Sequence, residues 1–410
     1  MSGFLFCMNY ILFDDAAHYS LLPFTHTRPV ADIRCGIYTM RQRWEYYLNT
    51  PTSTLAAGYL QEVFPLQAAA ENIWINGAVF ATEALTAAIL ALPAEAKLLS
   101  GDEVIAVRTN NQDISFDHFS DSANGLQTVL FEQAVRKLRQ KWDIFSMNEQ
   151  AIKDDFITIT KDRTSAPIPE GVTIVARENI FLEPTAKVQP GTVINASAGA
   201  VYIGNNAEIM EGCLIRGPLA LCDNAVLKMG AKVYTGCTIG PGSKVGGEIS
   251  NVVFFANSNK GHDGFVGNAV IGEWCNLGAD TNSSNLKNNY DVVKIWDEHL
   301  NKSIKTGLTF CGLLMGDHSK CGINTMFNTG TVVGVSCNIY GGNFPEKFIP
   351  SFAWGGSEGG VTYKLDRAMD TARRMMARRN IELSAAEERM YQHIFEQTQK
   401  QRDFMLGTNA

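Results

Sequence analysis

Aliphatic residues in the second half of the chain recur every six positions. Ile203, Ile209, Ile215, Leu221, Leu227, Val233, Ile239 and Val245 fall six apart without exception, and Ala207, Cys213, Ala225, Ala231, Cys237 and Ser243 stand four residues after most of them. The phase is present upstream at Leu182, Val188 and Ile194, resumes at Phe265, Ile271 and Leu277 with Ala269, Cys275 and Thr281 as the small residues, and returns at Met315, Cys321, Phe327, Val333 and Ile339. A period of six matches neither the two-residue alternation of a half-buried strand nor the 3.6 residues of a helix. It matches a parallel β-solenoid, in which each hexapeptide supplies one short strand and one turn. The aliphatic side chain then points inward and the small one fits a tight corner. About nineteen such units, three to a coil, predict roughly six coils.

Two stretches lose the phase, residues 246–264 and 282–308, and neither shows the period of another regular element. Insertions in a solenoid project as loops from one corner, and loops on rigid scaffolds are where chemistry collects.

Ahead of the repeat, strand-like runs at Tyr10–Phe13, Ile73–Ile75 and Val104–Val107 mix with helical runs at Glu83–Leu92 and Gly125–Trp142. This mixture predicts a three-layer α/β domain over residues 1–165, followed by the solenoid over 166–360. Residues 361–410 are expected to form helices at Tyr363–Arg379 and Glu387–Phe404 that cap the last coil, the second opening on a Ser384-to-Glu387 capping box. The apolar run Phe4–Phe13 lacks a basic flank and runs into Asp14-Asp15, so it reads as ending in a buried strand, Tyr10–Phe13, and not as a secretory leader.

Charge and composition narrow the partners. A formal net charge of -7, with no basic stripe carrying interleaved aromatics, argues against nucleic acid. No apolar run reaches membrane-spanning length. Of nine cysteines, seven lie between Cys213 and Cys337 at the spacing of the repeat, with no close Cys-x-x-Cys pair, which suits small buried thiols kept reduced in a cytoplasm. The solenoid histidines His262, His299 and His318 are not paired at rung spacing, so a zinc site between rungs is not expected.

The stretch Lys260-Gly-His-Asp263, followed by Phe265 to Gly272 and by Asn276-Leu-Gly-Ala-Asp-Thr281, breaks and restores the repeat around one histidine. A neutral imidazole takes protons well near pH 7, which suits a general base. Backbone N–H groups at a solenoid corner can hold a developing negative charge. A solvent-facing turn histidine is the alternative reading. Lys287, Lys294, Lys302 and Lys305 lie in or beside the long loop, where they can meet phosphates as point charges or serve only as solvated surface.

From residue 180 to 345 these motifs resemble the acetyltransferase domain of the bifunctional N-acetylglucosamine-1-phosphate uridyltransferase/glucosamine-1-phosphate acetyltransferase family. They are still more similar to the archaeal sugar-1-phosphate nucleotidylyltransferase/acetyltransferases. The resemblance implies a left-handed β-helix, His262 as the base, and Asn276 and Asn285 at the acceptor. It further implies an acetyl-CoA groove along Gly312, Gly322, Ile323, Asn324 and Gly341, and a homotrimer with sites between prisms, for which Phe254, Phe255 and Trp274 would supply apolar surface. Departures are Phe265 and Leu286 in place of tyrosines and Asp280 in place of glycine.

In the first half, Leu22-Pro-Phe-Thr25 and Thr27-Arg-Pro-Val30 resemble a segment of sugar nucleotidyltransferases, but Phe13-Asp-Asp-Ala-Ala17 stands where that family has a glycine loop for nucleotide phosphates. Val30 replaces its lysine, and Ala78 replaces the aspartate of its Mg2+-holding Asn-Gly-Asp. Arg28 is left for a phosphate, and Asp14 or Asp15 for Mg2+. The resemblance therefore implies acetyl-CoA-dependent N-acetylation of glucosamine 1-phosphate, with weak or absent turnover of UTP in a nucleotidyltransferase-like first domain. The competing reading is a nucleotidyltransferase on a purely scaffolding solenoid.

Overall fold

The computed structural model describes residues 8–112 and 114–406, so Phe4–Cys7 of the N-terminal apolar run lie outside the described residues. The chain packs as two units. One comprises Met1–Leu21, Thr27–Ile33 and Tyr38–Gln140; the other comprises Leu22–His26, Arg34–Ile37 and Lys141–Ala410. The division by packing falls before residue 165 because the helix Asn148–Thr160 buries Ile152 among Ile37, Phe181, Tyr202 and Ala220 of the second unit. Among the described residues no helix is long and apolar enough to cross a membrane.

The first unit is built on a six-stranded mixed sheet of β1 (Asn9–Phe13), β2 (Ser53–Leu55), β3 (Asn72–Asn76), β4 (Ala96–Ser100), β5 (Glu103–Thr109) and β6 (Gln127–Leu130), in the order β2-β1-β3-β5-β4-β6. β1 runs parallel to both neighbours, and β5 antiparallel to both of its own. Two-residue alternation places Ile11, Phe13, Trp74 and Val107 on one face with Phe119, and Tyr10, Leu12, Ile73 and Ile75 on the other with Trp44, Leu85 and Ile89. The sheet thus has covered faces on both sides, as the three-layer expectation requires.

The helix expected over Gly125–Trp142 is absent. Gln127–Leu130 joins the sheet as β6 beside β4, and the following segment is irregular. The helical pattern is overridden by tertiary contacts: Lys137 Nζ reaches Asp15 at 2.6 Å, Arg139 Nη2 reaches Glu103 at 2.9 Å, and the Leu138 amide donates to Ala78. Those polar groups would point elsewhere on a continuous helix.

In the second unit, one ladder stacks nine parallel strands from Lys187–Val188 to Ala353–Gly356 among the described residues, so there are about nine coils where periodicity predicts six. The extra coils went uncounted because several inward positions carry residues outside the aliphatic pattern, such as Lys260 and Ser283. All the phased aliphatics from Ile203 to Val245 are buried in a single core, with Cys213, Cys237, Cys275 and Cys337 among them. The eight described cysteines are free and buried.

The first loss of phase has a different origin from the one expected. Leu227 pairs with Val245, eighteen residues on, whereas Val245 pairs with Lys260, only fifteen on. Residues 246–264 are therefore a shortened coil, not a projecting loop, and Glu248–Phe254 crosses it as one continuous strand. The contraction also shifts the next rung: Val266 turns inward and is fully buried, while Phe265 faces outward and is half-buried.

The second loss is a true insertion, since Leu277 pairs with Cys321. It does contain a regular element, an antiparallel hairpin of Lys294–Asp297 with Lys302–Lys305, anchored by the buried side chains of Val293 and Ile295.

The C-terminal helices are Leu365–Ala377, Ala385–Gln397 and Gln399–Leu406. The second begins at Ser384 and Glu387 with both bonds of the capping box. The last expected helix is broken at Thr398, whose hydroxyl donates back to Ile394 at 2.7 Å. Leu406 packs against the solenoid core near its end. The helical arm does more than cap: Arg379 donates to the Gly242 carbonyl, its guanidinium lies 6.0 Å from the Trp274 ring, and Tyr391 meets His318 edge-on. It follows one corner over several coils.

Candidate active site

The turn after the rung Asn259–Lys260 carries His262 at the surface, beside Met229, Lys228, Gly247, Asp263 and Asp280, which line a concavity on the same corner. Backbone bonds stack that corner from coil to coil. The Asp280 amide donates to the Asp263 carbonyl at 3.1 Å, and the Asn324 amide to the Ala279 carbonyl at 2.8 Å. Ile323 is 69% exposed there, and Gly341 turns one coil further on, after Ile339 has paired with Cys321. Gly322, Ile323, Asn324 and Gly341 therefore share the His262 corner in successive coils.

Asn276 lies on the face leading into this corner, its Oδ1 accepting from Asn259 Nδ2 at 3.0 Å. Asn285 sits at the far end of the next face, where its Nδ2 donates to Asn268 Oδ1 at 2.8 Å. The strand residues Phe265–Gly267 separate the two ends, roughly 10 Å of extended chain. Phe265 spans part of this gap, because a Cβ on Gly267 would lie 2.6 Å from Phe265 Cζ and 2.6 Å from Asn285 Nδ2. The missing side chain at 267 gives the ring its place beside the amide. Gly312 belongs to this Asn285 end, not to the His262 corner: its amide donates to the Asn268 carbonyl at 2.8 Å, and a Cβ would meet the Gly267 carbonyl.

The lysines of the inserted loop divide. Lys287 is tied back into it, donating to the Val292 carbonyl at 2.6 Å with Asp291 at 3.6 Å. Lys294, Lys302 and Lys305 are exposed on the hairpin, with Lys294 directly opposite Lys305.

Sequence reading passed over Lys260 as a functional residue. It occupies an inward rung position between Val245 and Leu277, and is 1% exposed. Its ammonium donates to the carbonyls of His262 at 2.9 Å, Gly246 at 3.1 Å and Asp263 at 3.2 Å, which accounts for all three of its protons. Burial pulls its pKa down to about 8, against the attraction of Asp263 and Asp280. A lysine in a slot otherwise reserved for aliphatic residues was the available signal.

Phe254 and Phe255 are buried within the chain and Trp274 is 6% exposed, stacked on His318, so none of the three supplies the free apolar surface expected of them. Leu214, Tyr234, Met229, Ile323 and Tyr340 are among the exposed apolar side chains of this solenoid.

In the first unit, a pocket at the carboxyl ends of β1 and β3 is lined by Asp14, Asp15, Asn76, Glu103, Asp117 and Lys137 with Phe13, Tyr19, Phe116 and Phe119. Asp15 is engaged: Lys137, the Ala17 amide and Asn76 at 2.8 Å hold its pKa down although burial pushes it up. Asp14 is pushed up by burial against its contact with His18 at 3.0 Å, and also accepts from the Val30 amide. The two carboxylates that sequence offered to Mg2+ are thus already committed, and among the described residues no group of three or more His, Cys, Asp or Glu is placed to hold a metal ion. Arg28 lies buried in this unit.

Residues 10–164 match the family described as sugar nucleotidyl transferase. The chain is similar to the uncharacterized acetyltransferase YaiX of Escherichia coli O6:K15:H31 (strain 536 / UPEC), with 27% identity over 171 residues, 41% of this chain and 74% of that protein. It is also similar to the bifunctional protein GlmU of Thermus thermophilus, 29% identical over 141 residues that cover 28% of this chain and 30% of the relative. The solved structure of the polySia-specific acetyltransferase NeuO aligns with 47% of this chain and 82% of its own at 16% identity and a TM-score of 0.27, which leaves the solenoid to rest on its own ladders. The chain is thus similar to sugar nucleotidyl transferases over residues 10–164 and, over part of its length, to acetyltransferase YaiX and GlmU proteins.

Proposed function

We propose that the solenoid transfers an acetyl group from acetyl-CoA to the amine of glucosamine 1-phosphate, with His262 as general base. The observation that carries this reading is the exposed imidazole on a concave corner shared with Ile323 and Asn324, within one coil of an oriented asparagine. The names of the acetyltransferase and GlmU relatives support it.

In the reaction, neutral His262 takes a proton from the sugar ammonium, and the freed amine attacks the thioester carbonyl carbon. A tetrahedral oxyanion forms, the C–S bond breaks, the imidazolium returns its proton to the departing thiolate, and the nitrogen sheds its remaining extra proton to water to leave the neutral amide. Asn276 uses its Oδ1 on Asn259, which leaves its amide protons to donate to the acceptor sugar. Phe265 offers a ring where the resembling family has a hydroxyl, so the acceptor phosphate relies on other donors. Ile323, Asn324 and Gly341 are the proposed acetyl-CoA contacts on the His262 corner, and Gly312 supports the Asn285 end. Lys294 remains available to phosphates at the hairpin surface, whereas Lys287 is assigned to holding the loop.

For the first unit we infer a nucleotidyltransferase-like fold with little turnover of UTP. Four carboxylates line its pocket, and Lys137 is the one cation among the described residues lining it, which disfavours a triphosphate. A cytoplasmic homotrimer is the assembly proposed, with Leu214 and Tyr234 as the apolar contacts; sedimentation at micromolar concentration that finds only a 45.0 kDa species would refute it.

Release of CoA thiol with glucosamine 1-phosphate as acceptor tests the acetyl transfer. Wild-type turnover that His262→Ala lowers is the expected result. Equal rates for the two proteins, or no acetyl-CoA binding by calorimetry, would leave the solenoid a scaffold.

A further inference from the structure

We propose that Lys260 is a positioning residue for His262, its buried ammonium clamping the carbonyls of His262 and Asp263 to that of Gly246 one coil earlier. This inference rests on the acetyl-transfer reading for its kinetic consequence, but the clamp itself stands on geometry.

The argument begins with the shortened coil. Fifteen residues between Val245 and Lys260 bring the Gly246 turn close beneath the His262 turn, and the contact is tight: a Cβ on Gly247 would lie 2.8 Å from the Lys260 amine and 2.7 Å from the Gly264 carbonyl. Three carbonyls converge there, and that of Asp263 also accepts from the Asp280 amide of the next coil. Buried carbonyls without donors are costly. A lysine whose stem fills an aliphatic rung and whose head satisfies all three meets both demands at once.

Functionally, the bond at 2.9 Å holds the carbonyl of the residue that carries the imidazole. Fixing that peptide fixes the direction in which the side chain leaves the turn. Its loss would let the turn choose among several conformations, and misplacement of a base by about 1 Å can lower a rate by roughly 100-fold. Depression of the amine pKa by burial agrees with a head group held away from water.

The test is Lys260→Met, which keeps an apolar stem and removes the donors, alone and combined with His262→Ala. The expected results are a fall in kcat of at least about tenfold, KM for both substrates within about twofold, and a double variant no slower than His262→Ala alone. An unchanged kcat, or losses that add in the double variant, would overturn the proposal. A structural role elsewhere would add. The His262 ring resonance, assigned by its loss in His262→Ala, gives a readout that does not need turnover. One sharp line in wild type that splits or broadens in Lys260→Met supports the clamp even if acetyl transfer fails. The same single line in both proteins refutes it. If Lys260→Met does not fold, Gly247→Ala, which crowds the same amine, should give the same ring signature, and a sharp wild-type line there would refute the clamp.

Discussion

Asn259 Nδ2 lies 3.0 Å from Asn276 Oδ1, so the amide proposed to face the acceptor is oriented by a residue one coil away and three positions ahead of His262. Replacing Asn259 by Ala should therefore mimic part of an Asn276→Ala defect without touching substrate. We expect Asn276→Ala to raise acceptor KM by about tenfold, and Asn259→Ala by about threefold, a neutral hydrogen bond contributing about 1 kcal/mol. His262→Ala should lower kcat by about 100-fold or more with unchanged circular dichroism. Steady-state kinetics of the three variants separate these effects.

At Gly267 a single methyl is predicted to act on the acceptor end. The added carbon would stand 2.6 Å from both Phe265 Cζ and Asn285 Nδ2, and the ring is the part that can swing away. Gly267→Ala should keep its melting temperature within a few degrees, since the residue lies on a strand and loses unfolded-state entropy on substitution. Acceptor KM should rise several-fold, and Phe265→Ala in the same chain should relieve part of the increase. Kinetics that Gly267→Ala leaves unchanged would remove Phe265 from the site.

Acid should expose the role of Lys137. Its ammonium is 2.6 Å from Asp15, whose pKa it holds below the ordinary 3.8 despite burial. A depressed carboxylate contributes stability that is fully present above 3.8 and is lost as pH falls through its folded value. The melting difference between wild type and Lys137→Met should thus be largest from pH 5 to 7 and shrink toward pH 3. A difference independent of pH would mean that Lys137 acts through packing alone.

The first unit is expected to be a poor nucleotidyltransferase. Pyrophosphate release from UTP, Mg2+ and N-acetylglucosamine 1-phosphate should stay well below about 1 per second, and whatever remains should depend on Arg28. Robust release that survives Arg28→Ala would show that an acidic pocket with committed carboxylates can still manage a triphosphate.

The solenoid was legible because Ile203 to Val245 repeat with no exception, and each of those side chains meets the same geometric demand inside a prism. Phe265 shows where the reading failed. One shortened coil moved the inward position to Val266, and a period alone cannot tell deletion from insertion. His262, Asn276 and Asn285 were singled out by their resemblance to a family motif, whereas Lys260, Asn259 and Asn268 escaped notice because their roles depend on which coils become neighbours. The segment 125–142 failed for a related reason: Lys137 and Arg139 are drawn to Asp15 and Glu103, partners more than thirty residues away.

The inserted hairpin leaves and re-enters the prism at one doorway. The Cys311 amide donates to the Asn285 carbonyl at 2.9 Å, and Leu286 bridges Phe310, so the ends of a long excursion are already fastened together. Because closing the excursion is accomplished by that doorway, the exposed positions beyond it can vary without reopening the prism. Lys294, Lys302 and Lys305 can be exchanged for a different charged surface while Val293 and Ile295 stay buried and the rungs on either side keep their pairing of Leu277 with Cys321. A scaffold of this kind can change the charge along its rim within one segment, with the histidine corner left as it is.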